Sequence, residues 1–194
     1  SAPLDATLMS SIDFADALLS CPDIGGNTVR TGDGETGCGW AQMGGAYLNR
    51  NQTSRTLGYE ETSLRIAAGA QAEIYDGLTA GLGFSYDHAT LDAERLNSGT
   101  GNRLQAGLMV EQALGAWRVG GGVTGGFGDR DSDRVVPTPG GLAVANGDTT
   151  VGFVSVNARI ARAFEFGGLA VTPMLDAGLH NQWRDAFSET GAGA

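Results

Sequence analysis

The chain has no lysine: its twelve basic residues are all arginine, set against 22 acidic ones, for a formal net charge of -10 over 194 residues. Without a basic stripe nothing can displace counterions from a phosphate backbone, so nucleic acid is excluded as a partner. Long apolar runs are missing too; none reaches the roughly eighteen residues that a membrane-spanning helix needs. That absence leaves a spanning barrel open, because barrel strands alternate between lipid and lumen and average to a mean hydropathy near zero, here -0.10. Proline is scarce, at five residues, and the 32 glycines follow no three-residue period, which excludes collagen. No charged and then apolar leader opens the chain at Ser1-Ala2-Pro3-Leu4, so any signal peptide is expected upstream or already removed. Only two cysteines occur, Cys21 and Cys38, at the ends of a polar, Gly-rich stretch. An even count with no histidine nearby reads as a disulfide formed in an oxidising compartment such as the periplasm, with a pair of buried reduced thiols as the alternative. Closing that loop contributes about 3 kcal/mol in the chain-entropy picture.

What is present is periodicity. In residues 3–19, Leu4, Leu8, Ile12, Ala15 and Leu19 recur at helical spacing between Pro3 and Pro22, which predicts one short amphipathic helix. From Gly39 the period changes from 3.6 to 2. In residues 63–73, Leu64, Ile66, Ala68, Ala70 and Ala72 alternate with Ser63, Arg65, Gln71 and Glu73; in residues 77–87, Leu78, Ala80, Leu82, Phe84 and Tyr86 alternate with small or polar groups ending at Ser85 and Asp87. Leu104, Ala106, Leu108 and Val110 then oppose Arg103, Gln105, Gly107 and Glu111, and Trp117, Val119, Val123 and Phe127 oppose Arg118, Gly120, Gly122 and Thr124. The pattern is weaker in residues 39–48, 151–163 and 169–179, so about seven strands of about ten residues are expected.

A tilted strand crosses a bilayer in about nine to eleven residues, longer than the five or six usual in a soluble sheet. The connections alternate in size as well. Residues 49–62, 88–102, 128–149 and 180 onward are long, while 74–76, 114–115 and 164–168 are short, the layout of outer-membrane barrels with periplasmic turns and extracellular loops. Trp40, Tyr59, Tyr75, Tyr86, Trp117, Phe127, Phe164 and Phe166 stand near predicted strand ends, where aromatic girdles belong. Charge decides which face is which, since a charge facing lipid costs about 2 to 4 kcal/mol at the midplane. Leu64, Ile66, Leu78, Leu82, Phe84, Leu104, Leu108, Val119 and Val123 are therefore expected against lipid. Arg65, Glu73, Arg103, Glu111, Arg118 and Arg159 are expected in the lumen, where arginine and carboxylate groups pair with each other or dock the helix. The expected fold is all-β, an antiparallel transmembrane barrel, with a lumen helix in 1–20, a Cys-bounded loop in 21–38 and a partial barrel in 39–194.

Motifs for chemistry fail on context. Gly32 to Gly37 spells a dinucleotide fingerprint but neither follows a strand nor opens a helix, and reads as a flexible loop. Asp129, Asp131 and Asp133 have the opening spacing of a calcium loop, yet Arg134 stands where glycine is required and Gly140 where the bidentate glutamate belongs, so a solvated extracellular loop is the reading. His88 and His180 have no partner at metal spacing and read as surface or interfacial residues. A Ser-His-Asp site would need a serine beside one of them, and Ser85 is set on the opposite face from His88 by strand parity. No catalytic, cofactor or metal residues are expected, and the chain is not expected to be an enzyme.

The order helix, paired cysteines, barrel resembles the autotransporter β-domain family. The resemblance is carried by Leu18-Leu19-Ser20-Cys21-Pro22 before Cys38-Gly39-Trp40, by Leu57-Gly58-Tyr59, by residues 81–86 (Gly81-Leu82-Gly83-Phe84-Ser85-Tyr86), and most specifically by Phe187-Ser188-Glu189-Thr190-Gly191-Ala192-Gly193-Ala194. It implies a helix threading an outer-membrane barrel of about twelve strands, of which about seven to eight are expected here, so the sequence reads as truncated before a terminal aromatic strand. It also implies three partners: outer-membrane lipid, the protein's own passenger segment ahead of Ser1, and the outer-membrane insertion machinery. Some such proteins cut their own helix with a lumen asparagine; none occurs in residues 1–20, so that route is not expected. The expected function is translocation and anchoring of a passenger, with a passive outer-membrane pore or small structural barrel, or a secreted soluble β-sandwich binding module, as alternatives.

Overall fold

A computed structural model describes residues 2–21, 28–32, 37–51, 58–93, 97–138, 141–185 and 188–191. Helix α1 (Ala2–Ser20) is followed by β1 (Thr28–Thr31), β2 (Gly37–Arg50), β3 (Tyr59–Tyr75), β4 (Leu78–Ala93), β5 (Asn97–Leu114), β6 (Trp117–Thr138), β7 (Gly141–Arg162), β8 (Phe164–Phe166), β9 (Leu169–Val171), β10 (Met174–Arg184) and β11 (Ser188–Gly191). The wall is one antiparallel sheet, ordered β1 to β7 and then β10, with β11 on β7, while β8 and β9 form a separate hairpin. Among the described residues β1 and β10 are its outer members.

Every even position of β3 from 62 to 72 lies on the opposite face from Arg65, and the pairing Ile66 to Tyr86 to Leu104 to Phe127 carries that face unbroken across four strands. Leu64, Ile66, Leu82, Phe84, Leu104, Leu108, Val119 and Val123 are exposed on it, with Leu78 half-buried, and no second layer of protein covers them among the described residues. That arrangement is incompatible with a β-sandwich, whose apolar faces pack on each other. On β6 this apolar face runs from Trp117 to Phe127 and gives way to Asp129, Asp131 and Asp133. The ten residue-to-residue steps between Trp117 and Phe127 make about 34 Å of strand, or about 25 Å of height at a tilt near 40°, the height of the apolar band of a membrane barrel. At the short-turn end the Arg162 guanidinium lies 4.9 Å from the Trp117 ring centre and 4.7 Å from that of Phe164, an interfacial arrangement of a cation between aromatic faces.

Several expectations change. The strands are not ten residues long but reach 22 in β6 and β7, because their polar upper parts keep the backbone ladder where there is no lipid to impose hydropathic alternation. The long loop expected in 128–149 is thus a hairpin paired out to Thr138 and Gly141, and Asp129, Asp131 and Asp133 lie on a strand. The connection 88–102 likewise becomes the ends of β4 and β5, and 49–62 shrinks between β2 and β3. Residues beyond His180 continue β10 and then form β11. The strand expected in 169–179 is broken at Pro173, which lacks the N–H a ladder needs, and the turn 164–168 is itself a hairpin closed by Gly167 (φ +55°) and Gly168 (φ +91°), the two positive-φ positions of a type I′ turn. The Cys-bounded segment carries strand β1 on β2; residues 33–36 of its glycine motif lie outside the described residues. Trp40 does not join a girdle: it is 3 % exposed and faces inward on Phe14 and Ala67.

Asp131 stands opposite Asp148 on the hairpin above the apolar band. A hydrogen bond with Asp148, and then the charges of Asp148, Asp129 and Asp133, raise its carboxyl above the ordinary aspartate value. A group that holds its proton more tightly when folded favours the fold below that raised value and loses the advantage as pH rises through it. Asp131→Asn is therefore expected to slow amide exchange of the upper β6–β7 hairpin at neutral pH, with the difference vanishing in acid below the ordinary aspartate range. Equal exchange of the two proteins at neutral pH would refute the repulsion.

Candidate functional site

The concave face of the sheet receives α1. Of the sequence stripe Leu8, Ile12, Ala15, Leu19, Ala15 and Leu19 are buried, but the face that packs is centred on Thr7, Ser10, Ser11, Phe14 and Leu18, and Ile12 is 50 % exposed. The wall explains the rotation. Its inner positions are largely polar or glycine, so a helix face of hydroxyls and a few large apolar groups fits it better than an all-apolar one.

Polar docking begins at Asp87 on β4, 5 % exposed. Its carboxylate accepts from Ser10 Oγ at 2.8 Å, Gln105 Nε2 at 3.1 Å and Arg65 Nε at 3.0 Å, with Arg103 Nη1 at 3.7 Å. Gln105 also donates to Ser10 Oγ at 2.8 Å, and Arg65 Nη2 reaches Asp13 on the helix at 3.0 Å. Pairing explains the convergence, since Arg65, Asp87 and Arg103 are successive cross-strand partners on β3, β4 and β5. One residue on, about 100° round the helix, Ser11 Oγ lies 3.3 Å from Ser155 Oγ and 3.2 Å from His180 Nδ1, and Ser155 Oγ lies 2.6 Å from the same nitrogen. His180 stacks on Phe153 at 5.6 Å.

Apolar docking sits lower. Phe14 and Ala17 pack with Cys38, Trp40 and Ala67, and Leu18 and Leu19 with Met109. Gly69, Gly83 and Gly107 are successive cross-strand partners that form a bare stripe under these groups. A Cβ on Gly107 would lie 2.8 Å from Leu18 Cδ2, and one on Gly69 2.7 Å from the Trp40 ring, so side chains there would collide with the plug or its neighbour. The helix end is held by Gln71 Nε2 donating to the Leu18 carbonyl at 2.5 Å, which satisfies an otherwise orphan C-terminal acceptor. Arg159 donates to Ser20 Oγ at 3.0 Å and to Asp16, and forks onto Asp176 at 2.7 and 3.1 Å. Cys21 and Cys38 form a disulfide that links the end of α1 to β2.

Of the arginines expected in the lumen, Arg65 and Arg159 touch the helix directly and Arg103 reaches it through Asp87. Arg118 lies instead at the short-turn mouth, where it pairs with Glu111 at 3.5 Å, and Glu73 accepts from the Gly77 amide there at 2.7 Å; these three do not meet α1. His88 is exposed on the outer face against Asn102 at 2.9 Å, but His180 is not a surface residue: it faces inward between Ser11 and Ser155. Parity marked Asp87 and Gln105 as inward; their meeting with Ser10 depends on register and on helix rotation, which no local pattern carries. His180 was hidden because Pro173 breaks the alternation of its strand. Among the described residues no group of three or more His, Cys, Asp or Glu side chains is gathered as a metal ion would require. The chemistry of the site is thus the docking of a helix by ion pairs, hydroxyls and a glycine groove.

The family described as Autotransporter beta-domain matches residues 39–194. Comparison with curated proteins finds no match. Among solved structures, the translocator domain of the autotransporter NalP from Neisseria meningitidis is similar, with a TM-score of 0.70 and 16 % identity over 99 % of this chain and 63 % of that one. At that identity the likeness speaks for the fold, and this chain spans less than two thirds of that domain's length. A wall with an apolar outside and a helix-filled polar inside, matched over most of its length by one family, leads to a single assignment: the chain belongs to the autotransporter β-domain family of the bacterial outer membrane.

Proposed function

We propose that the protein is the translocator and anchor of a passenger lying N-terminal to α1, with α1 as the trailing end of that passenger. The observation that carries this reading is the seated helix. Its C-terminal end meets Arg159 and Gln71 toward the short turns, and Ser10 meets Asp87 nearer the long hairpins, so the chain ahead of α1 leads toward the hairpin end. With short turns periplasmic and long hairpins extracellular, that direction is outward. A lumen already filled by its own helix favours this reading over a passive open pore. Lipid around the apolar band, the passenger segment and the outer-membrane insertion machinery are the implied partners, and no catalytic step is required.

In cells expressing the whole reading frame with an epitope placed before Ser1, externally added protease is expected to remove the epitope from intact cells. Heat-modifiable gel mobility reports separately that the barrel has inserted. An inserted barrel whose epitope stays protected in intact cells would overturn the translocator reading.

A further inference from the structure

Beyond the N-terminal half of α1 the inner wall changes character. Arg130 on β6 stands opposite Gly101 and Thr149, and Val151 on β7 stands opposite Gly128 and Arg184. With Ala89 and Arg103 these residues enclose a cavity of about 50 Å³, closed on one side by Thr7 of the helix and bordered by Asn102 and Asp129. The small residues Ala89, Gly101 and Gly128 leave the space; the arginines give it its sign.

Asp129 shares the outward parity of Phe127, and the inward carboxylates nearby, Glu61 and the cavity-lining Asp87, are already engaged. Glu61 accepts from Arg130 Nη2 at 3.3 Å, and Asp87 is shared by Arg65, Ser10 and Gln105. Arg130 Nη1 and Thr149 Oγ1 are buried and have no hydrogen-bond partner among the described residues. Arg184 on β10 lines the same cavity. A buried donor left unpaired costs about 1 to 3 kcal/mol, and a guanidinium fork is matched best by a planar or tetrahedral oxyanion. The volume exceeds the roughly 10 to 15 Å³ that one water needs and suits a single oxyanion group.

We infer that this cavity is an oxyanion-binding site for a carboxylate or phosphate group, held by Arg130, Arg184 and Thr149 with Arg103 behind them. It lies where polypeptide leaving the helix N-terminus passes, so an acidic side chain in the lumen and a free phosphate are the two sources of one chemistry.

The test is calorimetric titration of the refolded protein in detergent micelles, at fixed ionic strength in chloride, with inorganic phosphate and with a short aspartate-rich peptide. Saturable 1:1 phosphate binding is expected, weakened at least tenfold in Arg130→Gln and Arg184→Gln, and unchanged in Arg162→Gln, which removes the same charge from the outer face. Because Arg130→Gln also breaks the pair with Glu61, Thr149→Val serves as the milder variant and is expected to weaken binding several-fold with unaltered heat-modifiable mobility. Peptide that competes with phosphate marks a polypeptide carboxylate as the ligand; phosphate binding without competition marks a free anion. No saturable binding of either probe, or equal binding by all variants, would overturn the site.

Discussion

Replacing Asp87 with alanine is expected to lower the stability of the refolded protein by about 3 to 5 kcal/mol and to loosen the helix, because it leaves two inward arginines facing each other across the gap. Arg65 and Arg103 flank Asp87 on neighbouring strands, and Ser10 and Gln105 donate to the same carboxylate. Removing it takes one acceptor from four donors at once, and only Gln105, through Ser10 Oγ, and Arg65, through Asp13 exposed on the helix, keep the second partners described above. Asp87→Asn keeps an acceptor for Ser10 without the charge and is expected to fall between wild type and alanine. Urea midpoints in micelles measure the stability. Conductance in planar bilayers reads the helix itself, since a seated plug blocks current and a loosened one opens. Wild-type midpoint and wild-type current from Asp87→Ala would show that the carboxylate does not hold the plug.

The second large effect is steric. Gly107→Val places a branched side chain where even a Cβ lies 2.8 Å from both Leu18 Cδ2 and Thr124 Cγ2. Overpacking of this kind costs about 1 to 3 kcal/mol. The yielding partner is expected to be the helix, because Thr124 is fixed in the sheet between β5 and β7. Leu18→Ala alone costs about 2 to 5 kcal/mol through lost packing. Together the two changes relieve each other, so the double variant is expected to be more stable than the sum of the singles by about 1 kcal/mol or more. Strict additivity would place Leu18 away from Gly107.

How much of this was legible follows from where hydropathy carries information. Between Trp117 and Phe127 every second side chain answers to lipid, so faces, and hence Arg65, Arg103 and Arg159 as inward groups, can be read from parity. Above Phe127 both faces of the β6–β7 hairpin are wet; Asp131 and Asn146 look like loop residues although their backbones are fully paired. Periodicity in residues 3–19 carries the helix but not its rotation, since Leu8 and Ile12 mimic a core stripe that a polar lumen has no use for. The convergence on Asp87 needs three strand registers and that rotation together, and the contact of Ser11 with His180 joins residues 169 positions apart in sequence.

The bridge between Cys21 and Cys38 makes the chain a closed ring at the foot of the plug. Hydrolysis of any one peptide bond inside that ring leaves both fragments fastened to each other through sulfur. Shedding whatever is carried on α1 by a cut there takes two unlike events, one hydrolytic and one reductive, whereas a single cut upstream of Cys21 suffices. Release by proteolysis alone therefore maps to the helix or beyond it, and never to the sixteen residues that the bridge spans.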